Sequence, residues 1–561
     1  MAPTSSEENL PSPKAGYWRY DKRRLLIDML DERARVCPDA LFGEYPISLI
    51  NYSQGYRKIT YAQLANAVNG AAKFLTEKLG PGKDFQTLCY MGWNDFRYVV
   101  FILGAVKAEY KLLLTSPLLT ASATTHLFTT MSCKVLLTTS PQPPTVAPVV
   151  KLHDYLRVLT IPSIEELLDT AYEYFPYGKI FEEAKGEPLV ALHTSGTTGL
   201  PKPVIYTHDY AAAYVRALQL EPPEGFESLD RKSEGGRVFS LTAPFHTSAI
   251  CIMIAAIANQ TTYIFPPAAT IPTAALAVEG LKHTNDVVGI LGGPPLVADC
   301  AKDSELLDFF ASHVGLMCYG GGDVAQALGD IVSTKLDLYT SHGSTESVSY
   351  PLIREIGDRE PKDWRYFHAH PAAGLQFRLH PEGENLHEAY IVRNPKPEDE
   401  QPVFKLFPTL QEFRTKDLYS PHPSKPDLWI YKMRSDDMIP LSNGQIANPS
   451  IMEHAVLDCT GIKEAVVLPV QKIGLENYIT CIALLIEPAS KVLSTEQKDD
   501  LIKELWPVVE KTNSYYRTNA FVEKKRILFV DPRKPLARTA KGTISRKRVL
   551  EDYKEEVDKL T

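Results

Sequence analysis

Between His193 and Lys202 the chain reads HTSGTTGLPK, which packs four hydroxyls, two glycines and one lysine into ten residues. Backbone N–H groups, hydroxyls and an ammonium in one flexible loop can wrap a triphosphate. The loop follows a β-rich run, Leu189 to His193, so it leaves the end of a predicted strand. It is not a Walker A loop. That pattern needs glycine just before the lysine and Ser or Thr just after it, and here those places hold Pro201 and Pro203. An unrelated P-loop hydrolase is thereby disfavoured. The candidate phosphate-binding residues are Thr194, Ser195, Gly196, Thr197, Thr198, Gly199 and Lys202.

Such a loop needs a scaffold. At 561 residues the chain exceeds what one hydrophobic core usually serves, so two or more domains are expected. Hydrophobic content of 44% and charged content of 23% describe an ordinary globular protein. A net charge of -8 and a pI near 6.0 argue against general affinity for nucleic acid or anionic membranes. The eight cysteines form no CxxC pair and no tight cluster, which excludes an evident zinc site or disulfide framework. The longest apolar run, Ala249 to Ala258, is too short to span a membrane and reads as a buried helix. The polar N-terminus lacks the apolar stretch of a secretory signal, so a cytoplasmic location is expected.

Thr60 followed by Gln63 forms a capping box, and Leu64, Val68, Ala71 and Leu75 recur at helical spacing, so a helix begins near Tyr61. Short β-rich runs at Thr87–Met91, Val135–Thr138, Leu189–His193 and Val287–Leu291 alternate with helical patterns, the signature of an α/β fold with mixed or parallel sheets. The proline-rich stretch Ser140 to Val149 and the polar stretch Glu221 to Gly236 read as surface loops. After Arg434 the pattern restarts. Strand-like runs at Glu464–Val470, Tyr478–Ile486 and Arg526–Val530 surround a helical Thr495–Glu510, enough for a compact second domain. The expected division is 1–434 and 435–561. The basic stretch Lys524 to Arg548 lacks interleaved aromatics and reads as a solvated face that also attracts phosphate.

The phosphate loop resembles the (S/T)SG(S/T)TGxPK motif of the adenylate-forming superfamily of acyl-CoA synthetases, luciferases and peptide-synthetase adenylation domains. Five further matches in the family's order extend the resemblance from about Thr60 to Lys547. It implies a large N-terminal part with mixed sheets and a small β-barrel-like element, followed by a small mobile α+β C-terminal lid. In Pro244-Phe245-His246, the resemblance puts His246 at the carboxylate end of the acyl pocket. Amino-acid-activating members place an aspartate there to pair with the α-ammonium. A buried ammonium beside a neutral imidazole would be uncompensated, so an α-amino acid substrate is disfavoured.

Gly320-Gly321-Gly322-Asp323 resembles the glycine turn along the adenine. His342-Gly343-Ser344-Thr345-Glu346 resembles (Y/F/H)GxTE, which implies a ring against adenine, a threonine at the α-phosphate and Glu346 as the Mg²⁺ ligand. Thr415-Lys416-Asp417 resembles TGD, with Asp417 on the ribose hydroxyls, although Lys416 stands where the family has glycine. Arg434-Ser435-Asp436-Asp437 resembles RxDD, giving Arg434 to the ribose and the hinge to Asp436. Ser442 to Gln445 resembles the thiol-transfer loop, with Gly444 lining the pantetheine tunnel. In Thr539 to Lys547, alignment on Gly542 puts Thr543 at the place of the catalytic lysine; the role is assigned to Lys541, two residues earlier.

The resemblance implies MgATP-dependent conversion of a carboxylic acid to acyl-AMP, with transfer to a phosphopantetheine thiol. The variants HTSGTTGLPKPV, HGSTES and TAKGTISRKRVL look most like adenylation domains of fungal carboxylic acid reductases. Carrier and thioester-reductase domains are the expected partners, and an aryl or α,β-unsaturated acid the expected substrate. No carrier serine motif is present, so an excised domain is expected. A stand-alone acyl- or aryl-CoA ligase is one alternative; a non-catalytic interaction module on the same fold is another.

Overall fold

The structure is a computed structural model that describes residues 23–195, 200–358, 360–381, 385–395, 400–441, 446–459, 461–471, 479–490, 492–514, 521–538 and 543–560. Two sheets with flanking helices carry most of the chain. The first has six strands in the order Arg157–Thr160, Val135–Thr138, Thr87–Met91, Lys111–Leu114, Pro188–Ser195 and Pro201–Thr207. All its pairings are parallel except the last, a hairpin. The second has seven, ordered Asp337–Ser341, Leu316–Gly320, Val287–Gly292, Arg237–Ser240, Thr262–Ile264, Leu41–Pro46 and Tyr56–Thr60. Only its outermost pair is antiparallel.

Parallel strands need crossover helices, and the sequence supplies them. The helix Tyr61–Leu79 opens on the expected capping box: Thr60 Oγ1 accepts from Gln63 N, and Gln63 Oε1 accepts from Thr60 N. Its apolar face joins the helix Arg97–Lys107 in the largest core cluster. The helix Thr247–Asn259 spans the expected buried run Ala249–Ala258 almost residue for residue, and its buried apolar residues belong to the largest core cluster.

A third, antiparallel sheet of seven strands runs from Phe226–Ser228 through Leu352–Glu355, Tyr366–Ala369, Trp429–Arg434, Glu412–Pro421 and His387–Val392 to Leu375–Leu379. It curls into the half-barrel that the resemblance implied. The residues after Arg434 have their own three-stranded sheet, Ile462–Gln471, Ile479–Pro488 and Ile527–Phe529. Helices Pro449–Leu457 and Thr495–Asn513 cover one face, and residues 439–557 supply the two clusters that fill it.

Two expected loops contain structure. Val146–Leu152 within the proline-rich stretch and just beyond it is helical, because Pro148 sits in the first turn, where its missing N–H costs nothing. In the polar stretch, Phe226–Ser228 is a strand whose partner, Ile353 to Glu355, lies far along the chain. Among the described residues no helix is long and apolar enough to cross a membrane.

Candidate active site

The phosphate loop caps the Pro188–Ser195/Pro201–Thr207 hairpin, where Thr194 pairs with Lys202 and Ser195 with Pro201. His193 accepts from Ser116 N at 3.1 Å through Nε2, which ties this strand end to the neighbouring one. Lys202 is exposed. Gly196, Thr197, Thr198 and Gly199 lie outside the described residues, as do the Gly444 loop and Lys541, and of Ser195 only the backbone is described.

Parallel sheets place their binding crevice at the carboxyl ends of the strands. There the second sheet delivers three motifs at once. Gly320 ends one strand, Ser341 ends the next and leads into His342, and the segment after Ser240 leads to His246. His246 is the N-cap of the helix Thr247–Asn259, with its ring 4.7 Å from that of Phe245. The first turn of this helix holds no acidic residue.

Glu346 sits in a tight turn. Ser344 Oγ accepts from Glu346 N and Ser347 N, both at 3.2 Å, and Ser344 N donates to Ser347 Oγ at 3.1 Å. Gly343 makes the turn possible: a Cβ there would lie 1.8 Å from Val348 O, so no side chain fits. The backbone is also held from behind. Tyr206 Oη donates to Thr345 O, and Tyr210 Oη donates to Glu346 O at 3.1 Å, the two rings stacked with centroids 4.0 Å apart. Tyr214 Oη lies 2.8 Å from Ser349 Oγ. Burial drives all three phenols well above their usual range, so they act as neutral hydrogen-bond donors. Among the described residues nothing hydrogen-bonds or ion-pairs with the Glu346 carboxylate, which leaves hard oxygen ligands for a cation such as Mg²⁺.

Sequence reasoning missed these tyrosines. Tyr210 and Tyr214, four apart, share one face of the helix His208–Leu218, which was the available signal; Tyr206 lies on the strand before it and has no such periodic mark.

His342 packs against Phe367 with ring centroids 4.1 Å apart and is 9% exposed. Burial, reinforced by Arg365, pushes its imidazole down to about 3, so it is neutral. At the glycine turn Gly321 has φ of 85°, a conformation glycine adopts freely. A Cβ on Gly322 would meet Pro294 at 3.1 Å and Thr543 Cγ2 at 3.5 Å. The last motif therefore reaches the glycine turn. Asp323 is engaged by protein: Arg365 Nη2 lies 2.5 Å from its Oδ2, and His454 Nε2, from the C-terminal unit, 3.5 Å.

Asp417 and Arg434 face each other across paired strands, with Arg434 Nε 4.0 Å from Asp417 Oδ1. Lys416 has φ of 65°, the left-handed conformation in which glycine is at ease. Its Nζ lies 3.1 and 3.2 Å from the two oxygens of Asp436. This substituted position thus keeps the glycine backbone and adds an ion pair to the expected hinge.

Residues 30–385 match the AMP-binding enzyme family, and residues 436–561 match the AMP-binding enzyme C-terminal domain. A carboxylic acid reductase of Neurospora crassa is 32% identical over 549 residues, covering 96% of this chain and 50% of that protein. An adenylate-forming reductase of Serpula lacrymans is 27% identical over 505 residues, covering 85% of this chain and 44% of that one. The chain spans about half the length of these relatives. An anthranilate CoA ligase solved with anthranoyl-AMP superposes with a TM-score of 0.68 at 16% identity, over 95% of this chain and 98% of its own. An O-succinylbenzoate coenzyme A synthetase of Bacillus subtilis, solved with ATP and magnesium, gives 0.65 at 16% identity, over 93% and 98%. At these identities the two solved structures speak for fold alone. The family match over most of the length agrees with the motif order and the sheet architecture: the chain belongs to the AMP-binding enzymes of the adenylate-forming superfamily.

Proposed function

We propose that this chain uses MgATP to convert a carboxylic acid, aryl or α,β-unsaturated and not an α-amino acid, into acyl-AMP with release of pyrophosphate. The acyl group then passes to the phosphopantetheine thiol of a carrier domain, for reduction to the aldehyde by a thioester-reductase domain. The observation that supports this most is the Glu346 turn, braced from behind by Tyr206 and Tyr210 and presenting an unengaged carboxylate five residues after Ser341, which pairs with Gly320. The relatives named as reductases support the later steps, and the setting proposed is cytoplasmic.

In this reading the loop from Thr194 to Lys202 holds the departing pyrophosphate, and Glu346 holds Mg²⁺. When bound, that ion offsets charge on the phosphates. Asp417 and Arg434 hold the ribose, Gly321 and Gly322 lie along the adenine with His342 and Asp323 at its edge, and Ser344 and Thr345 lie at the α-phosphate. His246 stands at the acid's carboxylate, which attacks the α-phosphate in line. Lys541 supplies the cation at the reacting oxygens, so the protein's work is positioning and charge stabilisation. Rotation about Asp436 then brings Gly444 to the thiol. The lack of an acidic residue in the first turn after His246 leaves an α-ammonium without a partner there.

ATP–pyrophosphate exchange across aryl, unsaturated, fatty, keto and amino acids tests the first step. Exchange is expected with the non-amino acids, and exchange confined to α-amino acids would reject the substrate assignment. Lys541→Ala should lower exchange by about 10²-fold or more, on the order of 3 kcal/mol. Acyl transfer to a phosphopantetheinylated carrier but not to free CoA separates this reading from a stand-alone CoA ligase.

A further inference from the structure

The helix Pro449–Leu457 touches two motifs that lie far apart in the chain. Successive helical residues point about 100° apart, so its neighbours Glu453 and His454 reach different partners.

Glu453 turns toward its own unit. Its Oε1 accepts from Val467 N at 2.7 Å, while Arg546 Nη1 donates to Val467 O at 2.6 Å. Arg546 also pairs with Glu453, its Nη2 lying 3.2 Å from Oε2. Together the two side chains satisfy one residue of the edge strand Ile462–Gln471, as a further strand would. Arg538, near the other end of the last motif, donates to Glu464 of the same strand at 2.7 Å and forms a bridge with Ile544. The last motif is therefore fastened at both ends to one strand, and Glu453 makes the second fastening.

His454 turns toward the glycine turn. Its Nε2 lies 3.5 Å from Asp323 Oδ2. That carboxylate is already fixed, since Arg365 Nη2 approaches Oδ2 at 2.5 Å and Val324 N donates to Oδ1 at 2.9 Å. Asp323 follows Gly322, whose added Cβ would meet Thr543 Cγ2 at 3.5 Å. The helix and the last motif thus meet the glycine turn at adjacent residues. Both contacts join residues before Asp436 to residues after it, so a rotation about Asp436 parts them together. A contact present in only one orientation shifts the population toward that orientation.

We infer that His454 is a positioning residue: it docks the C-terminal unit on Asp323, and the helix Pro449–Leu457 passes this docking through Glu453 and Arg546 to the last motif. The inference rests on the adenylation reading above and adds to it the side chains that register one unit on the other. His454 acts before the acyl-AMP forms and has no part in thiol transfer.

The test measures the two half-reactions of the full chain apart. One is ATP–pyrophosphate exchange with the acid that exchanges fastest among aryl, unsaturated, fatty and keto acids. The other is transfer from the synthetic acyl-AMP of that acid to a phosphopantetheinylated carrier. His454→Ala removes a partly exposed contact and should lower exchange about threefold to fivefold, with acyl transfer equal or faster. His454→Gln, whose amide can donate to the same carboxylate, should restore exchange. Glu453→Gln, checked by circular dichroism, should also lower exchange, and its loss should not multiply with that of His454→Ala, because both act through one helix. If Glu453→Gln fails to fold, the two His454 variants decide the matter. Unchanged exchange in His454→Ala, an equal fall in both half-reactions, or no recovery with Gln overturns the inference and leaves the adenylation reading standing. A wild type that exchanges with no acid overturns both.

Discussion

The Glu346 turn and the Asp417–Asp436 corner both bring charge near Tyr350, yet they are secured in opposite ways. The Glu346 turn is held by buried, neutral phenols that donate to backbone carbonyls. The corner is held by exposed charge: Lys416 and Asp436 are 38% and 39% exposed, and Arg434 is 42% exposed. Buried hydrogen bonds are costly to lose because the group left behind has no water to turn to. Exposed ion pairs are worth about 0–1 kcal/mol and can be exchanged for water. A carboxylate that must stay in one place is fixed by the first kind of contact, and a point of rotation is served by the second.

The comparison breaks most visibly at Glu346. Glu346→Gln keeps the turn's backbone contacts and removes the charge, so exchange should fall about 10²-fold while the urea midpoint stays put. An equal loss of stability would show that the carboxylate is structural. Next comes Tyr210→Phe, which leaves the Glu346 carbonyl short of a donor. A stability loss of about 1–2 kcal/mol and a drop in exchange of roughly tenfold are expected. Unchanged exchange would mean that Tyr206 alone fixes the turn.

Acid exposes the buried side of the comparison. Burial pushes the His208 imidazole down to about 4 and that of His342 to about 3, both below the unfolded value near 6.5. The unfolded chain therefore binds more protons below pH 6.5. The stability these groups contribute is full above that pH and is lost as pH falls toward 4 and then 3. Each group costs on the order of 1.4 kcal/mol per pH unit in its window, read as the urea midpoint at pH 7, 5.5 and 4.5. His208→Asn should flatten the slope, and an unaltered slope would clear His208. The smallest effect belongs to the exposed side. Lys416→Gly relieves a left-handed side chain and loses an exposed pair, a net change of less than about 1 kcal/mol. A loss above about 2 kcal/mol would show that the pair carries more than its exposure allows.

These contrasts also mark what the sequence could disclose. The capping box at Thr60, the parallel strands and the helix behind His246 rest on local pattern, and they were legible. Phe226–Ser228 was not, because a three-residue strand owes its existence to a partner more than 120 residues away. The helix Val146–Leu152 hid behind its proline. In the site, motif order located Glu346, Asp417 and Arg434, but motifs name the groups that would meet ligand and not what holds them. Tyr206 and Tyr210 belong to the second kind, and since one stands on a strand and the other on the helix after it, no single period marks them. Lys416 appeared as an irregularity until its φ explained why glycine or a strained residue must stand there.

Gly343 carries a consequence for how this protein tolerates change. With Val348 O only 1.8 Å from where a methyl would stand, even alanine must prise apart the two short strands that flank the turn. Gly343 is exposed, but Val348 belongs to the largest core cluster, so a saturation library at this codon should lose exchange and abundance together, which makes the position a joint reporter of turn geometry and core packing.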